Sequence, residues 1–262
     1  MIKTSNSLSI NSVGIVTACN PAYFPGTQML IRSLANQGLA HNIWVCGIGL
    51  NGLQKRWLKA REVGVGELDI AADDSSGICW SKPSIINQSP FQKVVWIDSD
   101  CLVIRDIMEL LRFDGYVSPY HPPIHQKLFN QDLLYEKWPV PKRSEMPVQN
   151  GVIVIDKSEH EGILREWTLL CNACKEEEHL ANLVSYFDQG AFLWAIEKSN
   201  KLDIIGDSVK YNTVARNRAK YFQIIKPSFV QEIRKKYPKS HIVHWAGRYK
   251  LFTKWVDREF VP

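Results

Sequence analysis

The chain has 262 residues, 45% of them hydrophobic and 23% charged, an ordinary globular composition with length enough for a substantial core. No apolar run approaches the roughly 18 residues of a membrane-spanning helix. The polar start Met1–Asn6 and the short apolar stretch Val13–Ala18 lack the form of a signal peptide, so the expectation is a single-domain cytoplasmic protein. The net charge of +5 is uneven: residues 201–262 hold 14 Lys and Arg against 5 Asp and Glu. That basic end points to a phosphate-bearing ligand or an anionic surface. No nucleic-acid-binding motif accompanies it, which argues against nucleic acid as a partner.

In chain order, the pattern predicts a strand over Val13–Thr17, a helix over Thr27–Gln37, a strand over Ile43–Ile48 and a helix over Gln54–Glu62. A short strand over Leu68–Ile70, a helical turn or two over Pro83–Gln88 and a buried strand over Val94–Ile97 follow. Strands separated by helices indicate a parallel α/β sheet covered on both faces. Ligands of such sheets bind outside the carboxyl ends of the strands. The Pro-rich residues 119–147 read as a long excursion, a lid or binding surface, in which the rings of Tyr120, His121, His125 and Trp138 either line that surface or pack inward. Then come a strand over Gly151–Ile155, helices over Glu161–Glu178 and Phe187–Glu197, and a short strand over Ile242–Val243. Cys171 and Cys174 have the spacing of a zinc or redox pair. They fall in a helix-like run with no second pair, and the expectation is two free thiols packing that helix.

Asp98-Ser99-Asp100 stands directly after the apolar run Val94-Val95-Trp96-Ile97. Two carboxylates so close at a strand end repel each other. A divalent cation such as Mn²⁺ or Mg²⁺ would relieve the repulsion, and a solvated turn is the plain alternative. There is no Gly-x-Gly-x-x-Gly and no P-loop, so any phosphate must be held by a metal and by side-chain cations. Four further places stand out: Lys82, Asn150-Gly151-Val152, Asp188-Gln189-Gly190, and the segment His244 to Lys250. Most have a plain structural reading when taken singly: Asn150-Gly151 as a turn, Asp188 as a helix cap beside an exposed Gln189, His244 as a core histidine and Lys250 as a surface lysine.

Together, in this order and over nearly the whole chain, these segments resemble glycosyltransferase family 8, the retaining enzymes that include glycogenin and lipopolysaccharide galactosyltransferases. Thr17-Ala18-Cys19-Asn20-Pro21-Ala22-Tyr23 is similar to the opening strand and loop of that family, and Val94 to Val103 to its metal-binding strand. His244-Trp245-Ala246-Gly247-Arg248-Tyr249-Lys250 is similar to the closing His-x-x-Gly-x-x-Lys motif, although Leu251-Phe252 follows where the family has Pro-Trp.

The resemblance implies a GT-A fold with a mixed, mostly parallel sheet flanked by helices. Residues 1–118 would form a nucleotide-binding half, and residues 119–262 an acceptor half with the closing segment. It implies a nucleoside-diphosphate sugar donor, most often a UDP-sugar. Asp98, Asp100 and His244 would bind Mn²⁺ (or Mg²⁺), with Ser99 between the carboxylates. Gly247 and Lys250 would grip the diphosphate, and Lys82 would reach the donor from the other side. Asn150, Gly151, Asp188 and Gln189 would form the sugar pocket, with Gln189 or Asp188 the only candidates for a nucleophile. Thr17 and Tyr23 would meet the nucleoside, and Asn212 would lie near the donor. The acceptor, whether glycan, lipid-linked or protein, is not readable. The basic segment 216–239 leaves peripheral contact with a membrane open.

Two rivals remain. Asp98-Ser99-Asp100-Cys101-Leu102-Val103 also resembles the nucleophile motif of haloacid-dehalogenase-like phosphatases, and Gly206-Asp207-Ser208 their late metal motif. That family opens its core with this strand, whereas three predicted strands precede it here, and Tyr211 stands where a second late acid is expected. A non-catalytic nucleotide-sugar-binding protein is the other rival.

Overall fold

The computed structural model describes residues 12–68, 75–119, 136, 148–181, 184, 188–199, 208–215 and 227–245. The strands among them are β1 (Val13–Cys19), β2 (Ile43–Gly47), β3 (Gly64–Glu67), β4 (Lys93–Ile97), β5 (Cys101–Val103), β6 (Gly115–Pro119), β7 (Val148–Asp156), β8 (Thr213–Val214) and β9 (Ile242–His244). Six of them form one sheet in the order β3-β2-β1-β4-β7-β6. Its first four members run parallel, while β7 is antiparallel to both β4 and β6. The mixed, mostly parallel sheet expected from the sequence is therefore present. β5, β9 and β8 make a second, three-stranded sheet.

The helices among the described residues are α1 (Phe24–Ala35), α2 (Gly52–Lys59), α3 (Ser75–Gln88), α4 (Glu161–Glu176), α5 (Glu178–Ala181), α6 (Asp188–Ser199), α7 (Ser208–Tyr211) and α8 (Pro227–Lys236). The central strands are buried on both faces, which is why β4 reads as an unbroken apolar run. Val94 and Trp96 join a core covered by α3, α4 and α6, while Val95 and Ile97 join one covered by α1 and α2. A third, smaller core gathers Phe229 and Ile233 of α8 against Leu102, Val243 and Trp245 around the small sheet. Cys171 and Cys174 are free and buried in the α4 core, the packing role expected of them. No helix among the described residues is long and apolar enough to cross a membrane.

Several elements differ from expectation, each for a local reason. α2 begins two residues early because Asn51 and Gln54 bond reciprocally, side chain to backbone at 3.0 Å each, and close a capping box. The strand paired with β2 is Gly64–Glu67, from Trp44↔Gly64 to Gly47↔Glu67, with its two glycines hiding the strand pattern and Leu68 past its end; Asp69 and Ile70 of the expected strand lie outside the described residues. β5 and β6 were not anticipated, being short pieces whose pairing comes from strands far along the chain. The helix expected over Phe187–Glu197 is Asp188–Ser199, with Phe187 outside the described residues.

The most consequential difference is α3. Proline favours the first helical turn, so the sequence suggests a helix starting at Pro83. The helix instead runs from Ser75 with Pro83 inside it. An internal proline forfeits one backbone bond, and burial of Trp80, Ile85 and Ile86 against the sheet offsets that loss. Lys82 therefore lies on a buried helix, 4% exposed, above the end of β4.

Trp167 of α4 ties this packing to the sheet end. Its ring centroid is 4.4 Å from that of Phe192, and its Nε1 donates to the Asp188 carbonyl at 3.0 Å. Trp167→Ala is expected to cost about 3–5 kcal/mol, read as a lower urea midpoint at unchanged slope. A loss under about 1 kcal/mol would mean the ring is not a packing centre.

Candidate functional site

The strand order reverses at β1 and β4, and the chain leaves the carboxyl end of β4 through Asp98-Ser99-Asp100. Such a switch point leaves a crevice for ligands. The Cys101 N–H donates to the Asp98 carbonyl at 3.0 Å, closing a tight turn that carries both carboxylates. Because β7 runs against β4, its beginning lies at the same end: the Asp98 N–H donates to the Gly151 carbonyl at 2.8 Å. The small sheet delivers the last part. Cys101 lies directly opposite His244, and the Trp245 N–H donates to the Asp100 carbonyl at 3.0 Å. Residues 98–101, 150–151 and 244 thus meet although up to 146 positions separate them.

One part of the site is a charged network around Lys82. Its Nζ lies 3.1 Å from Asp98 Oδ1 and 3.4 Å from Asp188 Oδ2, and it donates to the Asn150 carbonyl at 3.2 Å. Asn150 Nδ2 donates to Asp188 Oδ2 at 2.5 Å, and Trp96 Nε1 donates to Asp98 Oδ1 at 2.7 Å. The Lys82 ammonium also lies 5.3 Å from the centre of the Trp96 ring. Burial by itself would strip the Lys82 proton, but Asp188 and Asp98 outweigh it and hold the ammonium well above the ordinary lysine range. Asp188 is raised too, which for a carboxyl favours the neutral form. Burial, helped by the charge of Asp98, pushes it up to about 6 against the pull of Lys82 and Asn150.

The other part is the pair His244 and Asp100. His244 Nε2 lies 3.1 Å from Asp100 Oδ1 and 3.7 Å from Asp98 Oδ2, while Nδ1 lies 2.9 Å from Asn212 Oδ1. As the Asn212 amide is oriented, Nδ1–H donates to it, and Nε2 faces the carboxylates. An imidazole nitrogen and carboxylate oxygens converging this closely are a donor set that fits a divalent metal. Among the described residues, the group whose ligand atoms all lie within 4.8 Å of one another is Asp100, Cys101 and His244. Asp98 stands beside it, with one oxygen facing His244 and the other held by Lys82 and Trp96.

Gly151 is what lets the ring approach. A Cβ there would lie 2.5 Å from His244 Cε1, 2.6 Å from Nδ1 and 3.2 Å from Asp98 Oδ2. Gly151→Ala should therefore displace the imidazole, and a divalent cation added as a probe, such as Mn²⁺, is expected to bind this donor set about 10–100-fold more weakly than in the unsubstituted protein, measured by calorimetry. Unchanged Mn²⁺ affinity would show that His244 is not held by this contact.

The remaining predicted residues are spread around this centre. Thr17 is fully buried in β1 with its Oγ1 bonded to none of the described residues, and Tyr23 is half-buried at the start of α1, its N–H donating to Asn20. Ser99 is buried in the turn, and Gln189 is half-buried on the first turn of α6. Gly247 and Lys250 lie outside the described residues, as does most of the 119–147 excursion. Sequence reasoning missed Trp96, Trp167 and Cys101. Trp96 had a signal, since alternation along β4 puts it on the same side as Asp98. Trp167 and Cys101 had none, because their places depend on partners 21 and 143 residues away.

No family model matches the sequence, and no curated protein sequence does either. Solved structures do match. The bifunctional glycosyltransferase WbbM is 17% identical with a TM-score of 0.62 over 93% of this chain; the chain spans about half (47%) of that protein's length. The galactosyltransferase LgtC, solved with donor and acceptor sugar analogues, is 15% identical with a TM-score of 0.58, over 90% of this chain and 87% of that one. The glycosyltransferase GlyE of Streptococcus pneumoniae is 14% identical with a TM-score of 0.53, over 91% of this chain and 55% of that one. At such identities the likeness speaks for architecture, and the chain has the GT-A fold of glycosyltransferases.

Proposed function

We propose that the protein is a metal-dependent retaining glycosyltransferase that moves a hexose or pentose from a nucleoside-diphosphate sugar, a UDP-sugar in the first instance, to a hydroxyl of its acceptor. One observation carries the reading: at the switch point of a GT-A sheet, Asp100 and His244 meet 3.1 Å apart beside the Lys82–Asp98–Asp188–Asn150 network. That is a cation-binding corner next to a buried array of hydrogen-bonding groups, the two things a sugar diphosphate asks for.

In this reading Asp98, Asp100 and His244 hold Mn²⁺ or Mg²⁺. The ion, when bound, supplies positive charge to the diphosphate as it leaves. Gly247 and Lys250 close on the same diphosphate, and Thr17 and Tyr23 meet the nucleoside. Asn150, Asp188 and Gln189 bond the sugar hydroxyls, and polar groups left unpaired by the wrong sugar would reject it strongly. Lys82 holds Asp188 and Asp98 in place.

Retention has two routes. In a double displacement Gln189 or Asp188 attacks the anomeric carbon, but an amide oxygen is a poor nucleophile, and Asp188 is tied up by Lys82 and Asn150. In a same-face substitution the leaving phosphate takes the acceptor's proton, and the protein only positions and stabilises. We favour the second. Gln189→Ala should then keep at least about a tenth of wild-type turnover; a trapped glycosyl-enzyme would end this route.

The test is a panel of UDP- and GDP-sugars assayed for nucleotide release with and without chelator. Release of UDP that requires metal is expected. Phosphate released from monoesters would favour the phosphatase reading, and binding without release a non-catalytic protein. Cytoplasmic placement, with peripheral membrane contact through the basic segment, belongs to the same proposal.

A further inference from the structure

Cys101 is the unplanned member of the metal corner. It opens β5 directly opposite His244 in an antiparallel pair, so the two side chains rise from the same face of the small sheet. Asp100 precedes the strand and belongs to the turn, which frees its carboxylate from strand alternation. The Cys101 thiol, the His244 imidazole and the Asp100 carboxylate are all buried, with one ligand atom from each within 4.8 Å of the others. A zinc ion holds sulfur at about 2.3 Å and imidazole nitrogen at about 2.0–2.1 Å. Ligand atoms on one tetrahedral ion therefore sit roughly 3.5 Å apart. His244 Nε2 and Asp100 Oδ1, at 3.1 Å, are already close to that spacing, and the sulfur, within 4.8 Å of a His244 nitrogen and an Asp100 oxygen, has at most about 1.3 Å to close.

We propose that Asp100, Cys101 and His244 form a site for a thiophilic divalent cation, Zn²⁺ above all, with a ligand set different from that proposed for Mn²⁺. The proposal rests on the functional reading only in sharing Asp100 and His244. Carboxylate oxygen and imidazole accept Mn²⁺ and Zn²⁺ alike, but thiolate sulfur favours Zn²⁺. Coordination sends the Cys101 proton to solvent and leaves the fourth position open to water or a phosphate oxygen. Asp98 is not required, because one of its oxygens stays with Lys82 and Trp96. The same corner would thus hold two metals in two modes, with Zn²⁺ displacing Mn²⁺ by way of the thiol.

The experiment uses the full chain stripped of metal, in a Cys19→Ser/Cys46→Ser/Cys171→Ser/Cys174→Ser background that removes the two other neighbouring thiol pairs. Co²⁺ titration should give a thiolate-to-cobalt charge-transfer band in the near ultraviolet, and X-ray absorption of the Zn²⁺ form should show one sulfur at about 2.3 Å. Adding Cys101→Ala should abolish the band and weaken Zn²⁺ at least about tenfold, the lower end of what a lost outer-shell partner costs and so a floor for a lost ligand. A zinc shell of nitrogen and oxygen only, or a band that survives Cys101→Ala, overturns the proposal. The absorption measurement needs no Cys101 variant, so misfolding of that variant does not blunt it. Neither readout involves a sugar nucleotide. Sulfur ligation without UDP release would sink the transferase reading alone, and metal-dependent UDP release with no sulfur ligation would sink this one alone.

Discussion

Asp100→Asn is expected to lower metal-dependent UDP release by about 10²–10³-fold while leaving the protein folded. The carboxylate is 2% exposed and 3.1 Å from His244 Nε2, so the substitution keeps shape and removes one charge from the place where a cation fits best. An amide oxygen can still touch a metal, but it cannot balance the metal's charge or share a proton with the imidazole. The comparison with Asp98 sharpens the test. Asp98 is less buried, and one of its oxygens also serves Lys82 and Trp96. Asp98→Asn should therefore lose stability along with activity, whereas Asp100→Asn should lose activity almost alone. Steady-state UDP release over a Mn²⁺ titration, with thermal melts of the same samples, separates the two. Release within about threefold of wild type for Asp100→Asn would remove this carboxylate from the metal assignment.

The fold was largely readable because its signals are local. Val94-Val95-Trp96-Ile97 declares a strand buried on both faces, and Asp98 and Asp100 immediately after it declare a carboxyl-end site. The small sheet was not readable, since β5 is three residues long and its register with His244 depends on β9, more than a hundred positions on. α3 was misplaced because propensity speaks against an internal proline, while tertiary burial of Trp80 and Ile85 outweighs it. The members of the site were legible as residue types, but their division of labour was not. Nothing local says that Lys82 would pair with two aspartates, or that Cys101 would face the histidine. Those facts follow from where α3 and β9 pack.

Lys82→Met should be among the most destabilising single changes to the site, about 3–5 kcal/mol at pH 7.5. The side chains are similar in length, so packing against Trp96 is largely kept and the loss is of charge. Lys82 is the cation that Asp98 and Asp188 share, at 3.1 and 3.4 Å, and both it and Asp188 are nearly inaccessible to water. Without it, the buried Asp188 carboxylate and the partly buried Asp98 carboxylate face each other with Asn150 and Trp96 as their side-chain donors among the described residues. The pH dependence then identifies the cause. In the intact protein Asp188 already holds its proton up to about pH 6, against 3.8 in its ordinary state. A folded-state value above the unfolded one means that stability from this group is complete below about pH 4 and is lost as pH rises through about 6. Removing Lys82 removes the pull that keeps that value down, so the loss window moves to still higher pH. Lys82→Met should accordingly recover much of its deficit between pH 7.5 and 5.5, as Asp188 takes a proton and becomes a donor. The double variant Lys82→Met/Asp188→Asn should show little such recovery and be the more stable of the two at pH 7.5. Urea unfolding of the three proteins at both pH values measures this. An equal deficit at the two pH values, or a double variant that simply sums the single losses, would mean that Lys82 holds the site by packing and not by charge.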